Sequence, residues 1–148
     1  MLKVPESHYD AIRRHAEQAY PHECCGVLIG KLEGGDRVVR EHIPCTNAHQ
    51  ASPQHRYNIA PKELIAAQKR ARDLGLDIVG FYHSHPDHEA QWSTRDLDEA
   101  HWFACSYVIT SAKKGHADAT KSFVLCGNDE ETKRFDDEEI EVVSAEKA

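Results

Sequence analysis

Residues 80–86, Gly-Phe-Tyr-His-Ser-His-Pro, constrain the fold more than any other part of this sequence. The apolar run at residues 77–82 is typical of a buried strand, and two histidines follow it directly. Successive side chains on a strand point to opposite faces, so His83 and His85 project together while Ser84 points away. The sequence therefore predicts a buried strand that presents two imidazoles at its end.

A hydroxyl and a carboxylate follow this strand at helical spacing. Ser93 and Asp96 form a good helix N-terminus, with Ser93 as the N-cap and the acid in the first turn. Residues 86–92 are long enough to bring the chain back over the strand end. Two imidazoles and one carboxylate are the protein ligands of many catalytic zinc sites, which leave a fourth position open. We therefore predict His83, His85 and Asp96 as metal ligands, although each part alone also has a purely structural interpretation.

The remaining pattern predicts an α/β domain in which helices cover a mixed sheet. A helical period runs from residue 5 to 19, and Ala60-Pro61 predicts the start of a second helix that ends near Leu74. The other predicted elements are a hairpin at 24–44, a loop at 46–56, a strand at 77–82, a third helix from 93 to about 103, and strands at 105–110, 121–126 and 140–143.

Length and charge narrow the class of protein. The 148 residues fit one domain, 1–148, and no apolar run approaches the ~20 residues of a membrane span. The N-terminus lacks the apolar region of a secretory signal, and the five cysteines follow no Cys-x-x-Cys spacing, which favours buried thiols in a reducing cytoplasm. Most of the net charge of −7 lies in an acidic C-terminal segment, 128–148. The absence of a basic stripe argues against nucleic acid as a partner.

The full pattern His83-x-His85-x7-Ser93-x2-Asp96 resembles the JAMM motif of the MPN+ metallopeptidases. A second similarity lies upstream, where Glu23 precedes a Cys-Gly-apolar strand as in the glutamate segment of that family. Residues 56–61 and 77–82 also resemble its connecting segments. The resemblance covers roughly residues 1–127.

The resemblance implies a fold, a cofactor and a set of roles. The fold would be a single-domain MPN (cytidine-deaminase-like) α/β fold with a mixed, curved sheet flanked by helices. One Zn²⁺ per chain would be held by His83, His85 and Asp96. Glu23 would act as the general base and Ser93 would donate a hydrogen bond to the developing oxyanion.

The resemblance also implies a substrate class. Compact prokaryotic members of the family suggest a cytoplasmic metallopeptidase or isopeptidase. It would cleave after the C-terminal Gly-Gly of a ubiquitin-like or sulfur-carrier protein, with neither nucleic acid nor a membrane as a partner. The loops at 46–56 and 86–92 are the expected walls of the substrate groove. The sequence leaves open whether the chain forms a homodimer.

Two other interpretations remain at this stage. Residues 83–88 also satisfy His-x-His-x-Asp-His, the metal motif of the metallo-β-lactamase superfamily, which would make His88 a ligand. That fold needs a longer chain, with further metal ligands well downstream of the motif, and only 60 residues follow His88. A metal-free MPN scaffold that only binds partners is the other alternative, although Glu23 and all the motif residues are present. The motifs of zinc-dependent deaminases and of His-Glu-x-x-His peptidases are absent.

Overall fold

The computed structural model describes residues 1–144; residues 145–148, the end of the predicted acidic segment, lie outside the described residues. No helix in the described part is long and apolar enough to cross a membrane. The elements in chain order are β1 (Leu2–Pro5), α1 (Glu6–Ala19), β2 (Cys25–Glu33), β3 (Asp36–Cys45), α2 (Pro61–Asp73), β4 (Asp77–Pro86), α3 (Thr94–Glu99), β5 (Ser106–Lys113), β6 (His116–Cys126), β7 (Arg134–Glu138) and β8 (Ile140–Val143).

The eight strands form one mixed sheet in the order β7-β6-β5-β4-β2-β3-β1-β8. Strands β4 and β5 are parallel, and β1 is parallel to both of its neighbours, β3 and β8. The other pairs are antiparallel. This confirms the predicted α/β class with a mixed sheet flanked by helices.

Two apolar cores lie on opposite faces of the sheet. Helix α1 buries Ile12 and Ala16 on one face, against side chains that include Leu28 and Tyr82. Helix α2 buries Ala67 and Ala71 on the other face, which also receives Val27, Ile29 and Phe81. Alternation along β4 places the predicted histidines on the α2 face, because they continue the series begun by Phe81.

Several predicted elements differ from the observed ones, and β6 begins at His116 rather than at 121. The sequence pattern did not predict β1, which has only four residues, or β7, which is short and strongly polar. Both strands lie at or near the edges of the sheet. Helix α3 ends at Glu99 rather than near residue 103, because the next residue is extended and Trp102 and Phe103 turn to pack against the core. The predicted strand at 140–143 is confirmed as β8.

The register of β2 against β4 brings distant parts of the sequence together. The two strands are antiparallel, with Cys25 opposite His83. The backbone N–H of Ser84 extends this pairing by donating to the Cys24 carbonyl at 3.3 Å. The start of β2 therefore meets the end of β4, and a residue two positions before Cys25 falls beside His85.

Gly30 allows β2 and β3 to approach closely at a shift in their register. A Cβ atom at this position would lie 1.9 Å from the Val38 carbonyl oxygen, which is backbone and cannot rotate away. We expect Gly30→Ala to lower the free energy of unfolding by about 1–3 kcal/mol, measured by denaturant titration. The exposed neighbour on the same strand provides the control: Lys31→Ala is expected to change stability by less than about 0.5 kcal/mol. Equal effects of the two substitutions would contradict the steric argument.

Candidate metal centre

Three potential ligand atoms converge at the end of β4. The Nε2 atoms of His83 and His85 lie 3.3 Å apart, and the carboxylate of Asp96 lies 3.3 Å from the first and 3.1 Å from the second. All three side chains are buried or nearly so. Within residues 1–144 this is the one group of three or more His, Cys, Asp or Glu side chains close enough to hold a metal ion. The structure thus brings together the three residues predicted as ligands.

The hydrogen bonds of His85 indicate that a cation belongs here. Its Nδ1 lies 2.9 Å from the Glu89 carbonyl oxygen, which only accepts, so Nδ1 carries the proton. In the neutral ring the lone pair of Nε2 then points at the carboxylate of Asp96. Two lone pairs facing each other repel unless a cation lies between them. A backbone carbonyl that fixes the far nitrogen is also the usual outer contact of a metal-bound histidine.

The charges of the cluster favour the same conclusion. Burial would raise the pKa of Asp96, but its contacts with His83 and His85 outweigh burial and hold its pKa well below the usual range. Burial lowers the pKa of His83. Burial acts in the same direction on His85, yet the hydrogen bond and charge of Asp96 raise its pKa overall. An ionised carboxylate between two imidazoles is a donor set that fits Zn²⁺.

Ser93 and Asp96 combine a structural role with their place in the cluster. They form a capping box in which Ser93 Oγ accepts from the Asp96 amide at 3.0 Å and Asp96 Oδ2 accepts from the Ser93 amide at 2.9 Å. This confirms Ser93 as the N-cap of α3. Because its oxygen is the acceptor in the cap, its hydroxyl proton remains available for donation.

Glu23 lies just before β2 and lines the same cavity as His85 and Asp96. Its side chain is only 5% exposed, and its Oε1 has no hydrogen-bond partner among the described residues. Burial raises its pKa to about 8; the charge of His85 opposes this shift, that of Asp96 adds to it, and that of Arg95 opposes it more weakly. A buried, unpartnered carboxyl group costs stability, which makes it a candidate for a functional role.

No sequence pattern pointed to the residue that holds the segment around Glu23. The Nδ2 atom of Asn47 lies 3.1 Å from the Glu23 carbonyl oxygen and 3.0 Å from that of Arg56. Its Oδ1 accepts from the amides of His49 and Asn58. An asparagine in a polar loop is a signal for such local hydrogen bonds, but the sequence does not reveal which carbonyls it reaches.

We expect Asn47→Ala to displace Glu23 without removing any predicted ligand. Loss of several hydrogen bonds is expected to cost about 1–3 kcal/mol of stability and about tenfold in any hydrolytic kcat/KM, measured by unfolding and by kinetics. Asn128→Ala, in an exposed turn, is the matched control. Activity that stays at the wild-type level after Asn47→Ala would contradict this positioning role.

Two cavities lie beside the cluster. A metal-side cavity of about 530 Å³ is lined by Glu23, Gln54 and His55 on one wall and by residues 93–96 on the other. A second, more apolar cavity of about 440 Å³, the aromatic cavity, has no lining residue in common with the first. Its lining includes Tyr57, Ile59, Phe81, Glu99, Trp102 and Tyr107.

Tyr57 and Glu99, which both line the aromatic cavity, contact neighbouring parts of the site. The ring of Tyr57 stacks on that of His83, with centroids 4.5 Å apart. An ion pair between Arg56 and Glu99 connects the 47–59 loop to the end of α3. Residues from both loops predicted as groove walls line these cavities: His49, Gln54 and His55 from 46–56, and His88, Glu89 and Gln91 from 86–92. Their role as walls of a substrate groove stays a prediction.

His88 lies beside the cluster rather than in it. Its ring faces that of His55, with centroids 6.3 Å apart, and it is not among the converging ligand atoms. Its backbone carbonyl accepts from Ser111 Oγ. The metallo-β-lactamase interpretation, which needs His88 as a ligand, is therefore not supported by the geometry.

The mixed sheet, with a His-His-Asp cluster facing a buried glutamate, defines the class of JAMM/MPN-type domains. Residues 5–126 match the family model of prokaryotic homologs of the JAB domain. The chain belongs to this family, and the resemblance noted in its sequence is confirmed.

Three curated relatives match most of the chain. A desampylase from Haloferax volcanii is 35% identical over 106 residues, 69% of this chain and 74% of that protein. A probable TtuB-protein conjugate cleaving protease from Thermus thermophilus is 34% identical over 125 residues, 84% and 76% of the two chains. A CysO-cysteine peptidase from Mycobacterium tuberculosis is 36% identical over 114 residues, 77% and 75% of the two. Their names indicate peptidase or isopeptidase activity.

Solved structures confirm the MPN fold. A protein from Desulfitobacterium hafniense is 29% identical, with a TM-score of 0.79 over 99% of this chain and 97% of that one. A JAB1/MPN domain protein from Archaeoglobus fulgidus is 20% identical, with a TM-score of 0.60 over 95% and 98% of the two chains. The second likeness concerns the fold alone.

Proposed function

We propose that this protein is a zinc-dependent peptidase that hydrolyses the bond after the C-terminal Gly-Gly of a ubiquitin-like or sulfur-carrier protein. One observation carries the proposal: a buried, unpartnered carboxyl group, Glu23, lines the same cavity as a converging His-His-Asp cluster. The names of the three relatives support the substrate class.

The residues of the site have complementary tasks. His83, His85 and Asp96 would hold the zinc ion, which activates water and polarises a carbonyl group when bound. Glu23 takes a proton from the attacking water and delivers it to the leaving amine. Burial raises the pKa of Glu23 in the metal-free protein, and a carboxyl group with a raised pKa can both accept and release a proton near neutral pH. Ser93 donates its hydroxyl proton to the developing oxyanion, an interaction that is typically worth about 3 kcal/mol.

The groove explains a preference for glycine before the cleaved bond. The substrate tail lies along the aromatic cavity and reaches the zinc site past the stacked Tyr57 and the Arg56–Glu99 ion pair. We expect the last two tail residues to lie beside these contacts, between the aromatic cavity and His83. Glycine, which has no side chain, fits there in an extended conformation.

The proposal is tested by loading the protein with zinc and incubating it with carrier proteins extended beyond Gly-Gly. Intact mass is expected to show release of the extension, with a new C-terminus at the second glycine, and chelation of the zinc should stop the release. A protein that retains no zinc after reconstitution, and trims none of the carriers, would instead be the metal-free scaffold.

A further inference from the structure

The proposed roles place the two cavities on opposite sides of the cleaved bond. Under the proposed function, on which this inference rests, Glu23 delivers a proton to the leaving amine. Glu23 lines the metal-side cavity and is not part of the lining of the aromatic cavity. The leaving group must therefore occupy the metal-side cavity while the carrier tail occupies the aromatic cavity.

The metal-side cavity contains one arginine side chain that is not paired with any residue in 1–144. Arg95 lines it, and its guanidinium makes no hydrogen bond or ion pair with any residue in 1–144. The acidic side chain of Glu89 at the same cavity is paired with Lys113 at 2.6 Å. Arg56, next to His55 in the chain, is likewise paired, with Glu99.

Of the other acids that line this cavity, Glu23 is buried and its charge reaches Arg95, but no hydrogen bond or ion pair joins the two side chains. His55 and His88 approach each other across the cavity, and Gln54 and Gln91 supply neutral amides. The carboxylate of Asp96 is directed at the two histidine ligands instead. The cavity is therefore suited to a small leaving group that carries a negative charge of its own.

We propose that the metal-side cavity accepts a single amino acid as the leaving group, and that Arg95 binds its free α-carboxylate. The carboxyl group of such a residue lies two bonds from the amine that Glu23 protonates, so both fit in one small cavity. A guanidinium matches a carboxylate with two parallel hydrogen bonds. A lysine joined through its Nε places its own α-carbon five bonds away, and in a protein chain that carboxyl group is already in an amide and uncharged.

Binding to an inactive variant tests the carboxylate site independently of catalysis. Zinc-loaded Glu23→Gln protein is titrated by calorimetry with two peptides ending in Gly-Gly-Ala, one with a free C-terminal carboxylate and one with a C-terminal amide. We expect the acid to bind about tenfold more tightly than the amide. Adding Arg95→Gln is expected to bring the ratio of the two affinities close to one, and Arg95→Lys to restore part of it.

A charge-matched control lies on the opposite face of the sheet. Arg14→Gln removes one exposed positive charge from α1 and is expected to leave the acid-to-amide ratio unchanged. Equal affinity for the two peptides in the Glu23→Gln protein, or a preference that survives Arg95→Gln, would overturn the carboxylate site.

Cleavage by the wild-type protein separates this inference from the proposed function. Faster hydrolysis of the acid than of the amide, and of either than of Gly-Gly joined to the Nε of a blocked lysine, is expected. Hydrolysis of all three at equal rates would uphold the proposed function and overturn the carboxylate site. Tighter binding of the acid by a protein that hydrolyses none of them would uphold the site and overturn the proposed function.

Discussion

Replacement of Glu23 with glutamine is expected to lower kcat for hydrolysis of an extended carrier by about 10³-fold. The amide is nearly the same size as the carboxyl group but neither accepts a proton from water nor delivers one to an amine. Because Glu23 is not one of the three converging ligands, the zinc content should stay at one per chain. Intact mass and metal analysis of the same preparation measure the two effects together.

The stability of the metal-free protein supplies a second readout for Glu23. Its pKa is raised in the folded state, so the folded protein holds a proton that the unfolded chain has lost between about pH 5 and pH 8. This carboxyl group therefore makes stability fall as the pH rises through that window. Glu23→Gln should remove this part of the decline and stabilise the metal-free protein most near pH 8.

A control separates loss of this carboxyl group from loss of charge in general. Glu131→Gln, on an exposed turn, is expected to change neither kcat nor the pH dependence of stability. If Glu23→Gln retained wild-type kcat, the proposed proton transfer would be wrong.

The central part of the sheet was predictable from local patterns. Apolar runs bounded by glycine or proline identified β2 and β4, and their interior positions are among the most buried in the protein. The pattern fails for β7, Arg134–Glu138, whose only buried residue is Phe135. Such a segment becomes a strand only because β6 offers it an edge to pair with. Pairing of this kind is a tertiary property that the segment itself does not encode.

The residues of the site likewise include some that local sequence patterns predict and others that depend on tertiary structure. Strand alternation placed His83 and His85 on one face, and the capping spacing placed Asp96 near the start of a helix, so these positions follow from local rules. Glu23 lies 60 residues before His83, the first histidine of the cluster. Only the family resemblance indicated it, because its approach depends on the register of β2 against β4. Asn47 and Arg95 carry no local pattern that distinguishes them from ordinary surface residues.

Replacement of Asp96 with asparagine is expected to abolish zinc binding while keeping helix α3 in place. The side-chain oxygen of asparagine still accepts the Ser93 amide hydrogen bond that Asp96 Oδ2 accepts now. The neutral amide, however, is a poor zinc ligand and removes the one negative charge between His83 and His85. Zinc stoichiometry should fall from one per chain to near zero after dialysis, with loss of hydrolysis.

Thermal unfolding measures the same loss without an assay for activity. Zinc at 100 times its Kd stabilises a folded protein by about 2.7 kcal/mol, which for a chain of this size raises Tm by about 5–10 °C. We expect this rise in the wild-type protein and in Asp98→Asn, which makes the same change at an exposed acid on the same helix. The rise should be absent in Asp96→Asn. A full zinc-dependent rise in Asp96→Asn would show that the carboxylate is not a ligand, and it would leave the metal to the two histidines and a group outside this cluster.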